Sequence, residues 1–170
     1  DRLLLVDTSV WLSLSAVGRV ELLDAPSGDV VDLDAVAEEI TSAQAVRDLE
    51  QAVHDGWVRR LAVDDLTSED ALERAATVLG ESRDGTLVGD LALLAAGLAS
   101  TGDRRVVVSD DQPLRRACTA HSIPVSGSIG VLLRAVELGT IDADDAIDAV
   151  TAMDATGARF SASLLKRAER

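Results

Sequence analysis

One hundred and seventy residues, 47% of them hydrophobic, suffice for a single domain with a full core. Thirty acids against sixteen bases give a net charge of −14, which argues against a partner gripped by bulk positive charge. No run of about 20 apolar residues is present to cross a membrane and no signal-peptide pattern is seen; the lone Cys118 rules out an internal disulfide, so a soluble, cytoplasmic protein is expected.

The first element is Leu3-Leu4-Leu5-Val6, four apolar residues without alternation, which predict a strand buried on both faces of a parallel sheet. It stops at Asp7, after which Thr8 or Ser9 can cap a helix running to about Leu23, broken by Pro26-Ser27-Gly28. Val30, Val31 and Leu33 predict a second strand. Asp34 then caps a helix carrying Val36, Ala37 and Ile40, with Glu38 and Glu39 in its early turns. A further helix, about Gln44 to His54, ends at Gly56. Trp57–Val63 reads as a third strand, and Thr67-Ser68-Glu69-Asp70 opens a helix to about Leu79.

Gly80 to Gly85 is a polar loop, and Leu87 or Asp90 begins an almost wholly apolar helix that Gly102 stops. Arg105–Ser109 is a fourth strand ending at Asp110-Asp111, with Pro113 at the first turn of the next helix. Ile123-Pro124-Val125 predicts a fifth strand at an edge, because proline cannot donate to a ladder. Gly127-Ser128-Ile129-Gly130 opens a helix to Leu138, and helices over about Asp142–Met153 and Ser161–Ala168 finish the chain. Alternating strands and helices give an α/β protein with a central parallel sheet of about five strands and extra C-terminal helices. Residues 1–141 form its main part, and 142–170 a helical extension packed on the same domain.

In such a sheet the residues that follow the strands share the carboxyl edge, where open α/β sheets place their ligands. Asp7 and the Asp110-Asp111 pair belong there, and Glu39 and Asp90 sit near helix starts that can lean over it. Carboxylates gathered so closely require cations or protons. With no cysteine or histidine among them, all-oxygen ligation favours magnesium or manganese. Such an ion orients a phosphate and lowers the pKa of an attacking water.

The order of Asp7 in LLLVDTSVW, Glu39 in AVAEEI, Asp90 in GDLALLAAGLA and the SDD at Ser109–Asp111 resembles a PIN domain, the metal-dependent ribonuclease fold. SDDQPLRRA followed by IPVSGSIGVLLRAVELGTI is similar to an uncharacterised PIN subfamily allied to VapC-type toxins. The resemblance covers Leu3 to Ile141. It implies a three-layer α/β/α sandwich with strand order 3-2-1-4-5. It also implies that Asp7, Glu39, Asp90 and Asp111 are catalytic and hold Mg2+ or Mn2+, with Asp110 an adjacent candidate ligand and Ser109 a supporting hydroxyl. The implied reaction is hydrolysis of an RNA phosphodiester to a 5′-phosphate and a 3′-hydroxyl. The implied assembly is a homodimer silenced by an antitoxin that buries the site. Glu38 competes with Glu39, and Glu81 or Asp84 with Asp90.

Blander readings stand beside these. Asp7 and Asp90 are good helix caps, Glu39 suits a helix N-terminus, and Asp110-Asp111 before a proline suit a turn. Cys118 shares a helical face with Leu114 and His121 and reads as packing. Gly127–Gly130 reads as a tight turn before it reads as a phosphate cradle. Arg115-Arg116 and the cluster Lys166, Arg167, Arg170 are candidate phosphate contacts or salt-bridge partners. Without tyrosine and with a single phenylalanine, Phe160, the chain lacks platforms for base stacking.

Spread along the whole chain, the aspartates resemble the bias of extreme halophiles. In molar salt the Debye length is about 3 Å, so net charge is a weak veto on an RNA substrate. A haloacid-dehalogenase-like phosphatase needs an acid where Ser9 stands, a phospho-receiver domain reverses the order of the acids, and no glycine-rich turn follows Leu3–Val6 for a dinucleotide. Asp142–Asp145 lacks the glycine of a calcium-binding EF-hand loop. A PIN-like module that binds RNA or protein without cutting is the alternative function.

Overall fold

A computed structural model describes residues 2–24, 28–81 and 88–155. Strands β1 (Arg2–Val6), β2 (Asp29–Leu33), β3 (Val58–Leu61), β4 (Arg104–Val108) and β5 (Val125–Ser126) form one sheet in the order β3-β2-β1-β4-β5. Every pairing is parallel, as the unbroken apolar runs require. β1 lies at the centre, bonded to β2 on one side and β4 on the other.

Because side chains alternate along a strand, β1 feeds two cores. Leu4 and Val6 pack with Val30, Val106 and Val108 against α1 (Thr8–Ala16), α3 (Ala43–Asp55), α7 (Ser128–Glu137) and α8 (Ala143–Ala155). Leu3 and Leu5 pack with Val31, Leu33 and Val107 against α4 (Glu69–Leu79), α5 (Gly89–Leu98) and α6 (Gln112–Ala120). The result is a helix–sheet–helix sandwich. Among the described residues, no helix is long and apolar enough to cross a membrane.

Helix ends follow local chemistry. Ser42 and Ser68 cap α3 and α4 by accepting from Ala45 N–H and Ala71 N–H, and Gly56 and Gly80 close them in the left-handed region. Four elements differ from the expected ones, and one of them is β5, which pairs over Val125–Ser126 rather than Ile123–Val125. The first helix stops at Ala16 rather than Leu23, because Gly18 turns the backbone to φ +68°. Buried Leu22 and Leu23 then continue the apolar pattern on a separate 3₁₀ turn. The helix expected from Asp34 to Ile40 is a single turn, α2 (Asp34–Ala37). Its carbonyls at Val36 and Ala37 bond Glu39 N–H and Ile40 N–H, three residues on, and this tightening ends it. Asp34 is its first residue, not its cap; its Oδ1 accepts from Ala35 N–H and Val63 N–H. The third strand is shortened by a 3₁₀ turn at Val63–Asp65. The helix expected over Ser161–Ala168, Lys166, Arg167, Arg170, Phe160 and Asp84 lie outside the described residues.

β2 carries a buried charge. Asp32 is fully enclosed, and Arg60 of β3 donates to it through Nε at 2.8 Å while reaching Glu50 of α3 through Nη2 at 2.7 Å. Burial pushes the Asp32 carboxyl up, and Arg60 opposes that shift. Breaking a buried pair from one side leaves the other charge uncompensated. Since Arg60 is one-third exposed, Arg60→Met should cost about 2 kcal/mol, below the fully buried case. Denaturant unfolding checks this; a loss under about 0.5 kcal/mol would show that Asp32 is neutral or reached by water.

Candidate active site

The parallel arrangement brings the ends of β1 and β4 side by side, and Asp7 N–H continues the ladder by donating to Val108 O at 2.9 Å. Asp7 is 7% exposed and occupies the cap position of α1, yet its side chain makes no capping bond. Its Oδ2 instead accepts from Ser109 Oγ at 2.7 Å and from Ser9 Oγ at 2.9 Å. Each serine also accepts a backbone N–H, Ser109 from Asp111 and Ser9 from Asp110, both at 3.0 Å. Two hydroxyls thus lace the ends of the central strands together around one carboxylate. Ser9 was not foreseen in this role; the signal was a hydroxyl two residues beyond the strand-end acid.

Four more acids reach the same place from separate elements. Asp7, Thr8, Ser9, Glu39, Glu81, Val88, Asp90 and Asp111 line one cleft of about 400 Å3. Glu39 stands in the turn after α2, and Thr8 Oγ1 donates to Val36 O across to that turn at 3.3 Å. Its Oε1 accepts from Gly89 N–H at 2.6 Å, so Glu39 caps α5 from fifty residues away. Glycine leaves the carboxylate its place: a Cβ at position 89 would lie 2.8 Å from Glu39 Oε2 and would oblige it to shift. Asp90 is the second residue of α5 rather than its cap, and its Oδ1 accepts from Leu91 N–H at 2.8 Å. Asp111 does cap α6, accepting from Leu114 N–H at 3.0 Å through Oδ2. Glu81 follows Gly80 at the close of α4.

The expected alternatives therefore resolve unevenly. Glu81 and Asp90 do not exclude each other, since both line the cleft. Glu39 lines it and Glu38 does not. Asp110 is the candidate metal-holding residue that the fold places elsewhere. Its carboxylate accepts from Ser128 N–H at 2.7 Å and from Ser128 Oγ, pinning the start of α7. A Cβ at Gly127 would lie 2.5 Å from Asp110 Oδ1, which makes that glycine part of the turn and not a phosphate cradle. Arg115 is half-buried and donates through Nη1 to Ser109 O at 2.8 Å, bracing the same turn, whereas Arg116 is exposed. Cys118 is fully buried and its thiol is pushed up to about 11 by burial, as packing requires.

Electrostatics bear on what this cleft tolerates. Burial raises the Asp7 carboxyl, its two serine bonds oppose the rise, and Asp111 adds to it. Glu81 is pushed up to about 7, first by burial, then by a hydrogen bond with Asp90 and the charges of Asp90 and Glu39. Among the described residues, no three Asp, Glu, His or Cys side chains converge on one point in the positions they hold. The donor set nonetheless fits a hard divalent cation: it is all oxygen, it is carboxylate-rich, and a proton held near neutrality marks the unbalanced negative charge.

The family model DUF3368, a PIN domain, matches residues 3–170. The chain belongs to the PIN-domain family. Members of that family are in general nucleases, so the chain carries a nuclease-type hydrolase module, and divalent metal use is typical of it. No curated protein sequence matches the chain. The five-stranded parallel sheet in 3-2-1-4-5 order agrees with a PIN-like fold.

Glu81 yields a signed pH dependence. Its raised folded value means the folded state holds the proton more tightly than the unfolded chain. The associated stability is full below the usual value of 4.5 and is lost as pH rises through about 7. In EDTA, the thermal midpoint should fall between pH 5 and pH 8, and Asp90→Asn should flatten the fall. A midpoint that climbs over this range would contradict the assignment.

Proposed function

We propose that this PIN domain is a Mg2+- or Mn2+-dependent endoribonuclease whose site is formed by Asp7, Glu39, Asp90 and Asp111, with Glu81 as a fifth carboxylate. The observation that carries the reading is the convergence of these acids, from five separate segments, on one cleft at the carboxyl edge of the sheet. A cation bound there would supply Lewis-acid polarisation of a phosphate and acidify water beside it. The chain's own contribution is orientation. Ser109 and Ser9 fix one oxygen of Asp7, Gly89 N–H fixes one of Glu39, and Leu114 N–H fixes one of Asp111. These three carboxylates are thereby oriented before a ligand arrives, which removes an entropic cost of binding.

Motif order supports a finer assignment. SDDQPLRRA followed by IPVSGSIGVLLRAVELGTI, similar to a PIN subfamily allied to VapC-type toxins, favours the toxin of a toxin–antitoxin pair acting on cytoplasmic RNA as a homodimer, with the antitoxin covering the cleft. Arg116, exposed on α6, is the nearby cation suited to a substrate phosphate, while Arg115 supports the turn beneath it. The non-cutting module is the competing reading, favoured by the spacing of the carboxylates, no three of which, among the described residues, meet at one point.

Cleavage of a mixed single-stranded and structured RNA pool in molar potassium chloride decides between them. Manganese should support cutting, EDTA should stop it, and Asp7→Asn should reduce it at least ~100-fold. The variant should stay folded, because its substitution removes one of several repelling charges. No cutting by folded, metal-loaded wild type, or full activity in Asp7→Asn, would sink the nuclease reading.

A further inference from the structure

The opposite edge of the sheet carries opposite chemistry. At the amino ends of β1 and β4 lies a concavity of about 470 Å3, large enough for a nucleotide-sized ligand. Its polar lining includes Arg2, Arg74, Arg104, Arg105 and His121 against one acid, Asp103. That acid is already neutralised: Arg105 binds it through Nε at 2.9 Å and through Nη2 at 3.3 Å. Among the described residues, Arg2, Arg74 and Arg104 form no ion pair. All three are exposed. In a chain with thirty acids and sixteen bases, three arginines around one hollow with no ion-pair partner among the described residues are not what dispersed surface charge produces.

The wall behind them is built rather than loose. Arg105 has a side chain only 8% exposed, and its Nη1 donates at 2.6 Å to both Leu66 O and Ala96 O. Ser100 Oγ donates to Asp103 O at 2.7 Å, closing the turn into β4. Gly97 lets α5 approach Ile123, whose side chain would lie 2.9 Å from a Cβ there. On the far rim, Ser122 holds φ +58°, a conformation that L side chains rarely adopt, immediately beside His121.

We propose that this concavity binds the phosphate of a nucleotide-sized anion. Arg2, Arg74 and Arg104 supply the charge, and planar guanidinium groups suit the bidentate geometry of phosphate oxygens. The site is independent of the carboxylate cleft, which lies at the other end of a five-residue strand, about 17 Å away at the usual rise per residue. The phosphate has two conceivable sources, a free phosphate ester and a phosphodiester of an RNA strand.

Inorganic pyrophosphate is the probe, added to the whole protein with EDTA present so that no cation bridges it to the carboxylates. Potassium chloride is kept at the lowest concentration that maintains the fold, and matched in the control. Pyrophosphate should raise the thermal unfolding midpoint. Arg74→Gln with Arg104→Gln should weaken binding at least ~10-fold, while Arg47→Gln on exposed α3 should leave it unchanged. Circular dichroism confirms that the variants fold; should the double variant not fold, Arg104→Gln alone carries the comparison. No midpoint shift at millimolar pyrophosphate, or an equal shift in the arginine variants, would overturn the proposal. Given binding, displacement by a short oligoribonucleotide without terminal phosphate assigns the strand as the source, and persistence of the signal assigns the free ester.

Discussion

The hydrogen bond from Ser109 Oγ to Asp7 Oδ2 joins the ends of the two central strands at the point where a buried carboxylate must be tolerated. Without it, Asp7 would face burial with less compensation, and a buried acid unsupported by donors takes up a proton. With it, and with Ser9 on the same oxygen, the ends of β1 and β4 and the starts of α1 and α6 are fixed relative to one another. Asp111 N–H closes the loop by donating back to Ser109 Oγ. Asp111 is placed directly by this knot, and the turn that carries Glu39 is joined to the start of α1 by the bond from Thr8 to Val36 O.

Like charges gathered in one place oppose folding, and the structure distributes that cost among several devices. Glu39 uses one oxygen to cap α5, so its negative charge meets the positive end of a helix of ten residues. Asp111 does the same for α6. Glu81 relieves the remainder by retaining a proton close to neutrality, beside Asp90. A divalent cation would replace that proton, so metal binding and pH become coupled through the same group. The arginines at the opposite edge add a second pole to the molecule, separated from the acids by the length of the central strand.

Much of this was legible in the sequence because it depends on local patterns. An unbroken apolar run named β1, a serine and a glycine bounded α4, and Asp7 followed β1 directly. What escaped depended on contacts distant in sequence. Nothing local distinguishes Asp110 from Asp111, yet one anchors α7 through Ser128 and the other faces the cleft. Asp90 and Glu81 looked like rivals because spacing treats them as alternatives, whereas the close of α4 and the start of α5 meet at one cleft. The bond from Gly89 N–H to Glu39, fifty residues apart, has no signature in periodicity. The early stop of α1 was visible in principle at Gly18, but buried Leu22 and Leu23 carried the apolar pattern past it.

The central claim is that acids from five segments act together as one cation site. A manganese titration followed by isothermal calorimetry in molar potassium chloride at pH 8, where Glu81 has lost its proton, tests this directly. The account predicts binding by the wild type, at least ~10-fold weaker binding in Asp7→Asn and in Glu39→Gln, and unchanged binding in Asp110→Asn. Manganese binding that ignores Asp7 and Glu39 but fails in Asp110→Asn would contradict it, as would no binding at all by the folded protein.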